Sequence, residues 1–360
     1  MVQILQLADY QIVIGDFWQN FKGFLNQKNY TKIFVLVDEN TETHCFERVK
    51  EHFPQDNTQL IRTHSGELEK NLATCQVIWK ALFDGGANRN ALFVNLGGGV
   101  IGDMGGFCAS TFKRGIDFIQ MPTTLLSMVD SSIGGKLGID FYQVKNSIGV
   151  FANPKRVFIS TDFLTTLSPR EIKSGFAEII KHALIQDAAQ WHKLLTINDL
   201  ATVNWNEYLI PSLKIKQRIV EIDPFEKGLR KALNFGHTIG HAVESMALET
   251  DNPLTHGEAI AIGMICEAYL SKTCLPEGKI LRGMPDSDLQ AITQFILKHY
   301  GKYDIQSFDH QRLIALMMQD KKNETAAINF SLLNKIGDVE VNCTANVELI
   351  EESLEYYLGL

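Results

Sequence analysis

Cysteine is sparse in this sequence, and its spacing is unstructured. The six residues, at positions 45, 75, 108, 266, 274 and 343, form no CxxC pair. That excludes a disulfide-stapled scaffold and a zinc–thiolate site, and leaves buried or free thiols. Long apolar runs are missing too. No stretch reaches the roughly 20 residues that a membrane-spanning helix needs. The start, Met1-Val2-Gln3-Ile4, lacks a basic segment followed by an apolar signal core. The expectation is a cytoplasmic protein with no membrane partner. Excess positive charge is absent as well: 34 basic against 42 acidic residues give a formal charge of −8. That argues against a general nucleic-acid binder and leaves room only for local basic pockets. There is no internal repeat and no low-complexity tract.

What is present fits a soluble globular chain. At 360 residues, 45 % apolar and 21 % charged, it is long enough for two domains and a large core. Its centre is the stretch Asn234–His241. His237 and His241 sit four residues apart in a segment that reads as helix, so both imidazoles share one face. Downstream, His256-Gly257-Glu258 opens another apolar helix, and upstream Glu178 lies in a helical stretch over 169–185. A carboxylate and three histidines suit a divalent metal with an open position. Spacing alone does not exclude His241 as a ligand. His44, His52, His64, His192, His299 and His310 lack such company and read as surface or core residues.

The N-terminal half alternates strands and helices. Residues 32–37 form an apolar run of strand length, followed by Asp38, Glu39 and Asn40. Groups at the carboxyl end of a parallel strand are candidates for ribose hydroxyls; Asp38, Asn40 or Thr41 reads equally as a helix cap. A helix is expected from Ser65 through Phe83, with Glu67 and Lys70 on its first turn as a solvated end. Residues 91–96 form a buried strand, and the glycine-rich stretch Gly97–Gly106 follows. Strand, glycines and helix in that order point to a phosphate or dinucleotide turn, although two of the glycines could serve helix–sheet packing. No GK[ST] closes it, so it is not a P-loop. A second strand, 117–121, ends in Pro122-Thr123-Thr124, which can bind a nucleotide or cap the next helix. Lys136, after two glycines, is a phosphate or carboxylate ligand, and Lys145-Asn146 adds a cation and an amide in a loop. Residues 157–160 look like the last strand, which puts the boundary near 165.

The C-terminal half, 166–360, reads as mainly helical. Ser168-Pro169-Arg170-Glu171 has helix-start chemistry. Glu178 and Lys181, three apart, are either a solvated pair or, given their apolar surroundings, a buried one that needs a partner. Lys216, Arg218, Asp223, Glu226 and Arg230 form either a solvated face or an anion-holding cluster, with Arg230 able to clamp a carboxylate or phosphate. The tail from Pro285 is expected to hold helices around short apolar runs such as 327–333. Asp320-Lys321-Lys322 is its one charged cluster that could face a site.

Taken together these residues resemble the 3-dehydroquinate synthase family, of the sugar-phosphate cyclase superfamily. The motifs are Gly97–Gly106, Lys113–Gly115, Pro122–Leu126, Val129–Lys136, Lys145-Asn146, Gly175–His182, Arg230, Leu233–His241 and His256–Glu258, in family order. The resemblance implies an α/β N-terminal Rossmann-like NAD-binding domain (1–165), then an all-α metal- and substrate-binding domain (166–360), with the active site in the interdomain cleft. It implies Zn2+, or Co2+ or another divalent metal, on Glu178, His237 and His256. NAD+ would contact Asp38, Asn40, Glu67, Lys70, Gly98, Gly99, Asp103, Thr123, Thr124, Asp130, Lys136, Lys145 and Thr166. Substrate groups would be Lys136, Asn146, Lys181, Lys216, Glu226, Arg230, Asn234, His241 and Lys322. Arg114 would reach a neighbouring subunit's substrate phosphate, implying a homodimer. The implied reaction closes a seven-carbon sugar phosphate into a carbocycle. Its steps are transient oxidation by NAD, phosphate elimination, re-reduction, ring opening and an aldol step, with His241 relaying a hydroxyl proton.

The chain departs from the family pattern at Leu137, where threonine is usual, at Ser147, where methionine is common, and in the stretch Glu249–Thr255. None of these removes an assigned ligand. Three other readings stand beside this one: another sugar-phosphate cyclase, a metal- and NAD-dependent polyol dehydrogenase, and an inactive NAD-binding module. A polyol dehydrogenase has no use for the phosphate-binding lysines.

Overall fold

Runs of apolar residues with strand length set the sheet of the first unit. The computed structural model describes residues 2–142, 144–272, 283–319 and 328–360. These fall into two units, Met1–Ser168 and Pro169–Leu360. The strands of the first are β1 (Gln3–Gln6), β2 (Gln11–Ile14), β3 (Ile33–Asp38), β4 (Thr58–Thr63), β5 (Leu92–Gly97), β6 (Asp117–Pro122), β7 (Lys136–Phe141), β8 (Val144–Phe151) and β9 (Arg156–Ile159). Its helices are α1 (Trp18–Gln27), the short turns α2 (Glu39–Thr41) and α3 (Glu47–Val49), α4 (Leu72–Asp84) and α5 (Gly99–Thr111).

Seven strands make one sheet in the order β1-β2-β9-β6-β5-β3-β4, parallel except for the β1–β2 pair. The chain runs outward from β3 to β4, then returns to place β5 on β3's other edge. The order therefore reverses between β3 and β5, the point where doubly wound sheets bind ligands beyond the strands' carboxyl ends. Those ends carry Asp38 and Gly97. Both faces of the central strands are covered, which is why β3 and β5 read as unbroken apolar runs. Helix α5 packs tightly on this core. A Cβ on Gly106 would lie 2.5 Å from a methyl of Leu137, so the departure at 137 is a packing residue against α5. A Cβ on Gly105 would lie 2.0 Å from Asn95 Oδ1 and 2.8 Å from a methyl of Leu36.

Two expectations for this unit need correction. The helix over 65–83 is broken: a single turn covers Glu67–Glu69, and α4 starts only at Leu72, capped by Asn71. The break occurs because the Lys70 carbonyl accepts from the Asp140 N–H at 2.8 Å while its side chain turns inward. Lys145 and Asn146 lie not in a loop but on β8, paired antiparallel with β7. This ribbon has little apolar alternation on its second strand, so periodicity could not reveal it.

The second unit is helical: α6 (Pro169–Gln186), α7 (Ala188–Leu194), α8 (Asn206–Ile222), α9 (His237–Ala247), α10 (His256–Leu270), α11 (Asp286–Tyr300), α12 (His310–Gln319) and α13 (Val347–Gly359). Helix α10 is apolar on all sides, so it is central, packed by α6, α9, α11 and α13. The unit is not all-α. Strands β10 (Ile328–Lys335) and β11 (Asp338–Ala345) form a hairpin. Alternating Ile328, Phe330 and Leu332 are buried there, a short apolar run that periodicity alone does not distinguish from helix. The five cysteines among the described residues are buried thiols; Cys274 lies outside the described residues. No described helix is long and apolar enough to cross a membrane.

Candidate active site

Of the residues expected to meet NAD, Asp38 ends β3, Gly98 and Gly99 follow β5, and Thr123 and Thr124 follow β6, all at carboxyl ends of the sheet. Gly98 caps α5, so the backbone reaches this point with no side chain in the way and with the helix's free N–H groups ahead of it. Thr123 is buried, and Thr124 caps the next turn by accepting from the Ser127 N–H at 3.1 Å. Asp38 likewise caps α2, with Thr41 N–H donating to it at 2.7 Å. The capping readings of both residues are therefore realised. Asn40 and Thr166 are exposed, and Asp130 is half-buried.

Lys70 is not a solvated helix end. It is 4 % exposed, and its ammonium donates to Asp103 at 2.8 Å and to the Asn146 side-chain oxygen at 2.7 Å. Burial pushes its pKa down, but Asp103, with Glu67 and Asp140, outweighs that and raises it. Asp103 is itself raised, first by burial and then by Glu67 and Asp130, against the pull of Lys70. Asn146 has a left-handed φ of +51°, and its N–H donates to Asp140 at 2.7 Å. Lys70 thus ties α5 to β8. Lys145 lies 3.8 Å from Glu67, and Lys136 is exposed at the start of β7. Lys113 and Arg114 form an exposed turn with left-handed φ values of +50° and +66°.

In the second unit two close helix contacts assemble the histidines. Gly236 adopts φ +79°, and a Cβ on Gly263 would lie 2.0 Å from its carbonyl, so α9 and α10 cross almost backbone to backbone. Gly257 abuts Ser174 on α6 in the same way, its N–H donating to the serine hydroxyl at 3.1 Å. These contacts bring His237, His256 and Glu178 to one point. His237 Nε2 lies 3.4 Å and His256 Nε2 3.5 Å from Glu178 Oε1. Bonds of about 2.1 Å at tetrahedral angles place ligand atoms about 3.4 Å apart. The observed separations fit a divalent ion in the middle. The far nitrogens are held in turn: His237 Nδ1 donates to the Phe235 carbonyl at 3.1 Å, and His256 Nδ1 faces Glu244 at 3.3 Å. Such outer partners fix ring orientation and leave Nε2 for a metal.

The electrostatics agree with that arrangement. Glu178 is fully buried, and neither oxygen accepts a hydrogen bond of ordinary geometry. Burial pushes its pKa up, but Lys181, paired with Oε2, and His237 hold it well below the usual carboxylate range. Burial and Lys181 push His237 down to about 3, so it is a neutral donor at neutral pH. His256 rises to about 9: burial opposes this, but Glu244 and Glu178 outweigh it. His241 stands beside the set, its ring 5.0 Å from His237 and 5.9 Å from His256. A second donor triplet, His241, Glu244 and His256, also lies within reach of one ion. The first is the better cradle, because both of its histidines turn Nε2 onto one buried oxygen.

Lys181, Lys216 and Arg230 are all buried, so the solvated-face reading fails for them. Arg230 is anchored by its own loop: Asp223 accepts its N–H at 3.1 Å, and the guanidinium donates to the Pro224 carbonyl at 2.6 Å. Asn234 donates to Glu226 at 2.8 Å, and Glu226 has a left-handed φ of +59°. Lys322, with Asp320 and Lys321, lies outside the described residues. Glu244 was not singled out from the sequence, although it lies seven residues after His237 and three after His241, on their helical face.

Comparison with known proteins places this geometry in a family. Residues 60–174 match the family model described as 3-dehydroquinate synthase N-terminal, and 175–323 the one described as 3-dehydroquinate synthase C-terminal. The chain is 42 % identical to the 3-dehydroquinate synthase of Parabacteroides distasonis over 98 % of both chains. It is 39 % identical to that of Clostridium botulinum, over 98 % of this chain and 99 % of the relative. Among solved structures it is similar to 2-deoxy-scyllo-inosose synthase complexed with carbaglucose-6-phosphate, NAD+ and Co2+ (TM-score 0.85, 23 % identity, 99 % of each chain). It is also similar to 2-epi-5-epi-valiolone synthase of Streptomyces hygroscopicus with NAD+ and Zn2+ (TM-score 0.84, 23 % identity, 100 % of this chain and 99 % of that one). At these identities the structural likenesses establish the fold.

Proposed function

The chain belongs to the 3-dehydroquinate synthase family, and from that premise we propose that it converts 3-deoxy-D-arabino-heptulosonate 7-phosphate to 3-dehydroquinate and phosphate. It is an enzyme, a carbon–oxygen lyase acting on a phosphate. The observation that carries the reading is the buried Glu178–His237–His256 triplet, with its separations of 3.4 and 3.5 Å. We assign these three as ligands of a zinc ion, with cobalt or another divalent ion able to take its place. When bound, the metal would polarise adjacent hydroxyls, and NAD would take up a hydride and later return it.

The chain's own groups bind, orient and move protons. Arg230, fixed by Asp223 and Pro224, presents a cation to the substrate carboxylate. Lys136, Asn146, Lys181, Lys216 and Asn234 hold the remaining substrate oxygens and the departing phosphate, with Glu226 orienting Asn234. His241, beside the metal ligands, relays a hydroxyl proton. Asp38, Asn40, Glu67, Lys70, Gly98, Gly99, Asp103, Thr123, Thr124, Asp130, Lys145 and Thr166 form the NAD side. Arg114, exposed on its left-handed turn, is suited to reach the substrate phosphate of a second copy, so the working form is a homodimer. The proposed setting is the cytoplasm.

The test is phosphate release from that substrate with catalytic NAD, before chelation, after it, and with zinc restored, while NADH absorbance is followed. Metal-dependent release without net NADH is expected. Net NADH from a polyol would replace this reading with a dehydrogenase. No turnover with both cofactors bound would point to another sugar phosphate.

A further inference from the structure

We infer that Glu267, a residue with no part in the ligand set, is a positioning residue that holds His237 for the metal. Gly236 is the N-cap of helix α9 and has no side chain to cap it, and the first N–H groups of a helix lack partners within it. They are met from outside. Glu267, on α10, accepts from the Gly236 N–H at 2.6 Å through Oε2 and from the Ile239 N–H at 3.0 Å through Oε1. These two N–H groups flank His237. Glu267 is 0 % exposed in an otherwise apolar stretch of α10, where an apolar residue would avoid the cost of burying a charge. Its two acceptors meet the positive end of α9, which favours a negative charge there.

The clamp acts on His237 through the backbone. The ring's Nδ1 donates to the carbonyl of Phe235, the residue before Gly236, so the turn that Glu267 grips also sets the ring's orientation. One turn earlier on α10, Gly263 leaves no room for the two helices to separate by a side chain. Glu267 therefore fixes where Nε2 stands.

This inference rests on the reading of Glu178, His237 and His256 as metal ligands. The full chain, stripped of metal, is compared as wild type, Glu267→Gln and Ser271→Ala. Three quantities are read: zinc affinity by chelator competition, visible absorption after Co2+ loading, and thermal unfolding without metal. Ser271 is the control. It sits one turn further along α10, where its hydroxyl donates to the Glu267 carbonyl at 2.7 Å and accepts from the Leu333 N–H at 2.9 Å, away from the start of α9. Glu267→Gln is expected to weaken zinc binding about 10- to 100-fold, the usual range for an outer partner of a ligand, and to change the cobalt spectrum. Ser271→Ala is expected to lower the unfolding temperature with zinc affinity unchanged. Wild-type zinc affinity and cobalt spectrum in Glu267→Gln would overturn the inference, whatever its stability. Where that variant does not fold, Glu267→Asp, which keeps the charge and shortens its reach, is read against the same two outcomes. His237→Ala separates the two readings. If it binds zinc as wild type does, the ligand assignment itself falls.

Discussion

His256 sits between two carboxylates, Glu178 at 3.5 Å and Glu244 at 3.3 Å, and they raise its pKa to about 9 against the effect of burial. In the metal-free protein it is therefore protonated at neutral pH. A folded-state pKa above the unfolded value stabilises fully below about 6.5, and that stability is lost as pH rises through about 9. A metal at Nε2 must displace this proton. Zinc affinity should thus climb about tenfold per pH unit from neutrality and level off near pH 9, as read by chelator competition. Glu244→Gln removes the largest raising influence, so the break should move to lower pH. A flat profile would count against His256 as a ligand. Lys136 offers a second test at this scale. Lys136→Ala should lower turnover roughly 100-fold or more and weaken NAD binding far less, as judged by steady-state kinetics beside NAD titration. Equal loss of both would sink its substrate role. The histidine pair at 237 and 241 was legible because residues four apart on a helix share a face, but spacing did not separate His241 from the set Glu178, His237 and His256, which the family resemblance alone implied. Glu244 and the burial of Lys70 were less legible. A carboxylate on a helix, or a lysine after a turn, carries the same sequence pattern in solvent as in a core.

Helices α6, α9 and α10 meet where glycines remove the side-chain layer, and this sets the metal site more than any propensity does. A methyl group at 257 would stand 2.1 Å from the Ser174 carbonyl. Gly257→Ala must therefore push α10 from α6 and carry His256 with it. It should cost about 1–3 kcal/mol, the usual penalty of overpacking, and weaken zinc binding. Ser174→Ala removes one hydrogen bond without adding volume and should cost about 1 kcal/mol with zinc binding retained. Urea denaturation beside zinc titration separates the two. The alternation of buried strands and helices in the first unit was legible because β3 and β5 are covered on both faces. The β7–β8 ribbon was not. On β8 every residue is exposed or half-buried, so no apolar period survives, and Lys145 and Asn146 look like loop residues. The β10–β11 hairpin was missed because its apolar run is short: Ile328, Phe330 and Leu332 alternate over too few residues to separate strand from helix.

At the scale of the whole chain, each unit has its own ligand chemistry. The sheet's reversal point and the bare turn at Gly98 belong to the first, and the buried triplet to the second. A ligand that binds only the native form stabilises by about 2.7 kcal/mol at a hundred times its dissociation constant. That stabilisation first reaches the unit that holds it. Tryptophan makes the distinction measurable, because Trp18 and Trp79 lie in the first unit and Trp191 and Trp205 in the second. Trp191 and Trp205 are buried, so unfolding moves them from apolar surroundings into water. A variant carrying Trp18→Phe and Trp79→Phe reports on the second unit alone, and one carrying Trp191→Phe and Trp205→Phe on the first. Zinc should raise the thermal midpoint seen by Trp191 and Trp205, and chelation should lower it. NAD should raise the midpoint seen by Trp18 and Trp79. If zinc moved the Trp18 and Trp79 signal and left the other pair unmoved, the metal would not sit on Glu178, His237 and His256, and the chemistry argued from that triplet would have to be rebuilt on the first unit's carboxylates.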